Sequence, residues 1–236
     1  MDQGFSAAHW LGTDSLGRDL LSRISLAVSE SVLPLIFVVI LAFILGLGLF
    51  FMTCSRDSRL VRILKKALLV TGDFLVSVPI TIALFLLLVG LESVNPIGII
   101  LIVIFFSCCI RTYSECSMHL LKDQHLAYWE SHHCLGGRKA DRVWSYGLIG
   151  KWLTPLAMHL SHWLRLGIII EASLSYLGFG ISEPQASLGN MLAMHFSQFL
   201  RGQSSTVIVI SLSFVVVLAS ISQLCMRVTS KIPSRE

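Results

Sequence analysis

Long apolar runs alternate with short polar segments along the whole chain. The runs are Val32 to Met52, Phe74 (or from Ala67) to Gly90, Ile97 to Ile110 extending to Tyr113, Leu153 to Leu177, and Val207 to Cys225. A helix of about 20 apolar residues crosses a bilayer. The pattern therefore predicts an all-α polytopic membrane protein with about five transmembrane helices. Helices are expected because they satisfy their own backbone groups in lipid. A β-barrel would need alternating apolar and polar positions, and these runs are continuous. Pro34 falls in a first turn, where its missing donor is tolerated. His159, His162, Arg165 and Glu171 interrupt the fourth run.

Composition sharpens the class. The chain has 236 residues, 54% of them hydrophobic and 14% charged. A soluble domain carries roughly 25% charged residues, and disorder needs the opposite balance of charge and apolarity. The net charge of +4 does not point to nucleic acid, because the basic residues cluster beside the apolar runs. Arg56, Arg59, Arg62, Lys65 and Lys66 follow the first run, and Arg111, Lys122, Arg138, Lys139, Arg142 and Lys151 follow the third. Arg227, Lys231 and Arg235 follow the last. Basic loops stay in the cytoplasm. That rule places these segments and the tail 227–236 inside. It places 1–31 outside, with the loops near Glu92 to Pro96 and Gly178 to Ser204. All six cysteines fall on or near the cytoplasmic side, so no disulfide framework is expected. An external N-terminus without a preceding span is unusual. It implies a short tail that translocates unaided, or a first helix missing from this chain.

Four strings then carry a specific resemblance. The first is Leu11, Gly12, Thr13 and Asp14, followed by Gly17, Arg18, Asp19, Ser22 and Arg23. By composition alone it is a polar turn. It resembles the LGTDxxGRDxxSR signature of the C-type permease subunit in the dipeptide/oligopeptide/nickel family of ABC importers. In that family the string lies on the external side. Asp73 and Pro79 resemble the family's DxxxxxP, with Pro79 expected to bend its helix. Glu171 to Gly180 reads EASLSYLGFG and is similar to the family's EASLSFLGxG. Ser187 to Leu192 is similar to its WGNML region, with Leu188 in place of Trp. Glu183 and Ala186 replace two usual prolines, so a less rigid external loop is expected. Ala172, Ser173 and Ser175 are small enough for close helix approach. Asp73, Pro79, Glu171, Ser173 and Ser175 either line a translocation path or pack helices, and both readings stay open.

The segment 115–151 resembles the cytoplasmic coupling loop of ABC importers, the EAA loop. Tyr128, Trp129, Glu130, Ser131, His132, Gly136 and Gly137 are the candidate ATPase-coupling residues. Glu130 and Gly136 match the pattern in type and spacing, whereas Ser131 and His132 replace its alanines and the later proline is absent. Gly136-Gly137 suits a helix stop, and an amphipathic piece from Lys139 to Leu148 follows. The resemblance thus implies a coupling-helix pair. No G-x-x-x-x-G-K-[ST] string occurs, so the chain is expected to bind no nucleotide by that route.

The resemblance implies a permease domain over 32–226 that lacks the family's first of six helices. It implies a non-enzymatic transport subunit of the bacterial inner membrane, moving peptides, nickel or other small solutes. The implied partners are a second permease, two ATPase subunits carrying ATP and Mg, an extracytoplasmic solute-binding protein and the lipid bilayer, with no nucleic acid. No cofactor is expected on this chain. Two rivals exist. One is a degenerated, non-transporting scaffold, suggested by the altered coupling loop. The other is a metal-dependent membrane enzyme, suggested by His119, His125, His132, His133, His159 and His162 with Cys116 and Cys134.

Overall fold

A computed structural model describes residues 9–14, 17–55, 58–91, 95–123, 152–200 and 205–230, and every regular element in them is helical. The helices are α1 (Leu20–Ala27), α2 (Leu33–Cys54), α3 (Arg59–Ser77), α4 (Ile80–Gly90), α5 (Pro96–Asp123), α6 (Leu153–Tyr176), α7 (Leu188–Phe199) and α8 (Ser205–Ser230). A π-helical turn, Val28–Val32, joins α1 to α2. The chain forms two compact units. One unit, named the outer-motif unit after the Leu11–Asp19 string expected on the external side (the outer motif), holds the described residues of Met1–Phe37, Thr81–Ile102 and Leu164–Ser222. The second unit holds those of Val38–Ile80, Val103–Trp163 and Gln223–Glu236.

The first helix starts well before the apolar run. Asp19 caps it by accepting from the Ser22 amide at 2.9 Å, and helix continues from Leu20 to Cys54 over 35 residues. Polar Ser22, Arg23, Ser25, Ser29 and Glu30 hide this stretch from a hydropathy reading, but a good N-cap and an apolar inner face suffice to form it. The expected external segment 1–31 therefore contributes its last twelve residues to helix and turn. The second expected span is two helices rather than one. Val78 is extended, at φ −106° and ψ 123°. A proline's ring disfavours helical geometry in the residue before it, so Val78-Pro79 breaks the helix where a bend was expected. The third run continues as α5 to Asp123. The segment 178–204, expected as a loop, contains α7, whose Gly, Asn, His and Ser obscure its period.

Among the described residues, three helices are long and apolar enough to cross a membrane: Leu20–Cys54, Pro96–Asp123 and Thr206–Leu224. The number is four if α3 and α4 make one span. α6 has the length, but His159, His162, Arg165 and Glu171 dilute its apolarity. Large apolar side chains lie open along these helices, among them Phe37, Ile44, Ile102, Phe106, Leu212 and Val215. Water would penalise such exposure, whereas lipid accepts it.

Helix contacts are made at small residues. In the second unit, a Cβ on Gly46 of α2 would lie 2.6 Å from the Cys109 carbonyl oxygen of α5 and 2.8 Å from Thr112 Cβ. A Cβ on Gly72 of α3 would meet the Ser114 hydroxyl. The core beside them is Phe50, Tyr113, Cys116, Trp152 and Leu156. In the outer-motif unit the core is Leu20, Ala27, Ala186, Leu188, Met191 and Ile210, and Gly167 seats Leu35. Lipid gives helices little hydrophobic reason to associate, so such close approach supplies the packing. Gly46→Ala must push α5 away and should cost about 1–3 kcal/mol. Gly48→Ala meets nothing within 4 Å and should be neutral. Thermal unfolding of the two variants in detergent checks this contrast.

Candidate functional site

The outer motif folds as a tight loop closed on itself. Gly12 and Gly17 take φ of 80° and 77°, which side chains with a Cβ rarely adopt. The Asp14 amide donates to the Arg18 carbonyl at 2.8 Å, and Leu20 N donates to Gly12 O at 3.1 Å. Asp14, 1% exposed, accepts the Arg18 amide at 2.8 Å, and its other oxygen lies 3.6 Å from Arg18 Nε. Asp19 caps α1 and pairs with His9 at 3.1 Å, and Thr13 bridges to Asp19 across the loop. The Ser22 amide, more than any other group, holds the Asp19 carboxyl below the usual range. Leu11 packs against the unit's core. Each motif residue thus has a structural part in one turn.

Two arginines leave this turn toward a distant loop. Arg18 reaches Glu183 at 3.2 Å and the largely buried Arg23 reaches it at 2.8 Å. Burial alone would raise the Glu183 carboxyl. The bonds from Arg23 and Arg18 outweigh that and hold it below the usual range. Glu183 was expected to loosen the loop by replacing a proline. It instead supplies a double ion pair that ties residue 183 to the outer motif. The same loop is held from two further sides. Glu30 Oε2 accepts the Ala186 amide at 3.2 Å, and Asn190 Nδ2 donates to the Ile181 and Gln185 carbonyls at 3.2 and 2.9 Å.

The second motif supplies the floor. Glu171 is 5% exposed and accepts from the Ser175 hydroxyl at 2.8 Å, and Ser175 accepts the Ile181 amide at 2.9 Å. Gly178 has a φ of 84° and turns the chain out of α6. A Cβ on Gly189 would collide with the Ala172 carbonyl, so α7 begins directly against α6. Ser173 faces outward, its hydroxyl bonded back to Ile169 O at 2.7 Å. It borders an apolar groove of ≈ 380 Å³ with Ile169, Tyr176, Leu192 and Phe214. The structure therefore unites the outer motif, Glu171 and Ser175 in one unit, with Ser173 on its surface.

Asp73 and Pro79 belong to the other unit and are both exposed. That unit also holds Asp123 and Trp152, the described residues on either side of the segment expected as a coupling loop. Trp152 Nε1 donates to Asp123 Oδ2 at 2.6 Å, while the buried Trp152 ring meets Phe50 edge-on and stacks on His119. This clamp joins the last residue of α5 to the residue before α6. The expected coupling residues Tyr128, Trp129, Glu130, Ser131, His132, Gly136 and Gly137 lie outside the described residues, as do His125, His133 and Cys134. Among the described residues no group of three His, Cys, Asp or Glu could hold a metal. His159 instead contacts Thr112 at 3.4 Å.

Sequence reading missed Glu183 as a partner of the motif, and Glu30 and Asn190 as supports of the loop that carries it. Their alignment is visible only once α7 and the turn are folded. Glu183 has a depressed folded pKa, so its contribution is complete above its unfolded value near 4.5 and is lost as pH falls through the lower folded value. Hydrogen exchange of residues 181–187 should therefore quicken at acid pH. Glu183→Gln should show the quickened exchange already at neutral pH, without the acid step.

No family model matches the chain. Curated relatives do. It is 29% identical over 193 residues to the glutathione transport system permease protein GsiD of Pectobacterium atrosepticum, covering 81% of this chain and 62% of that protein. It is 28% identical over 192 residues to the probable D,D-dipeptide transport system permease protein DdpC of Escherichia coli, covering 80% and 61%. It is 27% identical over 192 residues to the oligopeptide transport system permease protein OppC of Bacillus subtilis, covering 80% and 60%. The chain thus spans about three-fifths of the length of the relatives it matches. The folded turn and the membrane-length helices belong to a chain similar over four-fifths of its length to permease proteins of glutathione, dipeptide and oligopeptide transport systems.

Proposed function

We propose that the chain is a permease subunit that forms part of the translocation path of a bacterial ABC importer for peptides. The observation that carries this reading is similarity over four-fifths of the chain to permease proteins of glutathione, dipeptide and oligopeptide transport systems. In this reading five crossings are made, by α1–α2, by α3 with α4, by α5, by α6 and by α8. The subunit sits in the inner membrane with its C-terminus inside. It pairs with a second permease, two ATPase subunits work it from the cytoplasm, and an extracytoplasmic binding protein delivers substrate to the outer motif. Peptides are favoured over nickel because the relatives named above are peptide systems.

The mechanism follows from where force enters. ATP binding closes the ATPases and displaces a lever around Glu130 and Gly136. Its two roots are α5 and α6, clamped by Asp123 and Trp152, so a push there moves both helices together. Val78-Pro79 gives α3 and α4 a break at which they can reorient. Alternating access then arises because nucleotide and substrate each favour one of two bundle arrangements. Glu171 and Ser175, being bonded inward, hold the outer loop, while exposed Asp73 and Ser173 are the path-facing candidates.

Uptake of a labelled peptide in a deletion strain tests the reading. The intact gene should restore uptake. Glu130→Lys and Gly136→Pro should insert normally, leave ATP hydrolysis running and abolish uptake. Unchanged uptake in both would remove the lever, and unchanged uptake in the deletion strain would remove the transport role.

A further inference from the structure

Helix α3 has three distinct flanks, and only one is needed for packing. Gly72, with half-buried Val61, Leu68 and Leu69, turns toward the protein. Arg59, Arg62 and Lys66 recur at helical spacing on a second flank, with Lys65 at its edge. Leu60, Ile63 and Leu64 form a third, and are 79%, 61% and 46% exposed. Among the described residues, none of the four cations is in an ion pair. The acid on α3, Asp73, lies two turns beyond Lys66. Basic and open apolar flanks confined to residues 59–66 are the pattern of a membrane helix whose first two turns sit in a lipid headgroup layer.

A cleft opens beside this helix, within the same unit. It measures ≈ 170 Å³ and is lined mainly by Phe50, Leu69, Tyr113, Leu120 and Leu121, with Lys65 at its edge. Two hydroxyls in its wall bond to their own helices, Thr53 donating to Phe50 O at 3.0 Å and Ser117 to Tyr113 O at 2.9 Å, and the Tyr113 hydroxyl lies 3.4 Å from Thr53 Oγ1. Lys65 brings a positive charge to the lining of this largely apolar slot. That combination suits an amphiphile with one anionic end, and basic pockets between membrane helices hold such headgroups. A free inorganic anion would gain nothing from Phe50, Leu69 or Leu120.

We propose that this cleft is a binding site for an anionic phospholipid, with the phosphate at Lys65 and the basic flank of α3 and an acyl chain entering between α2, α3 and α5. The lipid would fill the gap beside the Phe50–Tyr113 core and fix the depth at which α3 lies. This site requires the membrane setting but not the transport reading, so the two stand or fall separately.

The test uses the full chain in nanodiscs of phosphatidylcholine alone or mixed with phosphatidylglycerol, followed by mass spectrometry of retained lipid. Wild type should retain phosphatidylglycerol in preference to phosphatidylcholine. Lys65→Gln should lower that retention about fivefold, the worth of one basic side chain near an anionic surface. Lys66→Gln should lower it less, because Lys66 does not line the cleft. Leu69→Trp should lower it with charge unchanged, provided its melting temperature shows a folded protein. Equal retention in wild type and Lys65→Gln, or equal retention of the two lipids, would overturn the proposal. Displacement of phosphatidylglycerol by an equal concentration of inorganic phosphate would identify a plain anion site and overturn it too.

Discussion

A polar group taken from water without a partner costs roughly 2–7 kcal/mol, and both units are arranged around that penalty. In the outer-motif unit the irregular backbone of residues 178–187 follows α6 and is buried at Ile181, Ala186 and Ser187, so its amides and carbonyls there need partners. Glu30, Ser175 and Asn190 supply them, while Glu183 is held by two arginines. Glu171 is in turn satisfied by Ser175. Two of the sequence motifs therefore hold the same loop, the LGTD turn through its arginines and the EASLS helix as its floor.

The second unit solves a different problem. Its helices meet at glycine and small residues, and its polar side chains mostly bond to their own helix, as Thr112, Ser114 and Ser117 do. Longer-range side-chain contacts join Thr53 to Tyr113, Thr112 to His159 and, at the two ends of the segment 124–151, Trp152 to Asp123. In the proposed reading the segment between Asp123 and Trp152 is a lever, and a lever transmits force only if its roots do not splay.

Much of this was legible in the sequence because lipid simplifies the code. Continuous apolar runs marked the centres of α2, α5 and α8, and the interrupted fourth run marked α6. The failures have specific causes. The stretch Leu20 to Ser31 is too polar for a hydropathy reading, yet Asp19 caps it and Leu20 and Ala27 anchor it. α7 is short and mixed, so a loop looked equally good. Pro79 was recognised, but its effect on Val78 turns a bend into a break. Glu183 looked like a lost proline because its partners, Arg18 and Arg23, are some 160 residues away in the chain.

The central claim is that this chain is a conduit without its own motor. Purification of the tagged chain from its native membranes in mild detergent tests it most directly, with the accompanying polypeptides identified and ATP hydrolysis measured. The account predicts stoichiometric recovery of a second permease and of ATPase subunits that carry all of the hydrolysis. Recovery of this chain alone, itself hydrolysing ATP or holding a stoichiometric metal ion, would contradict it.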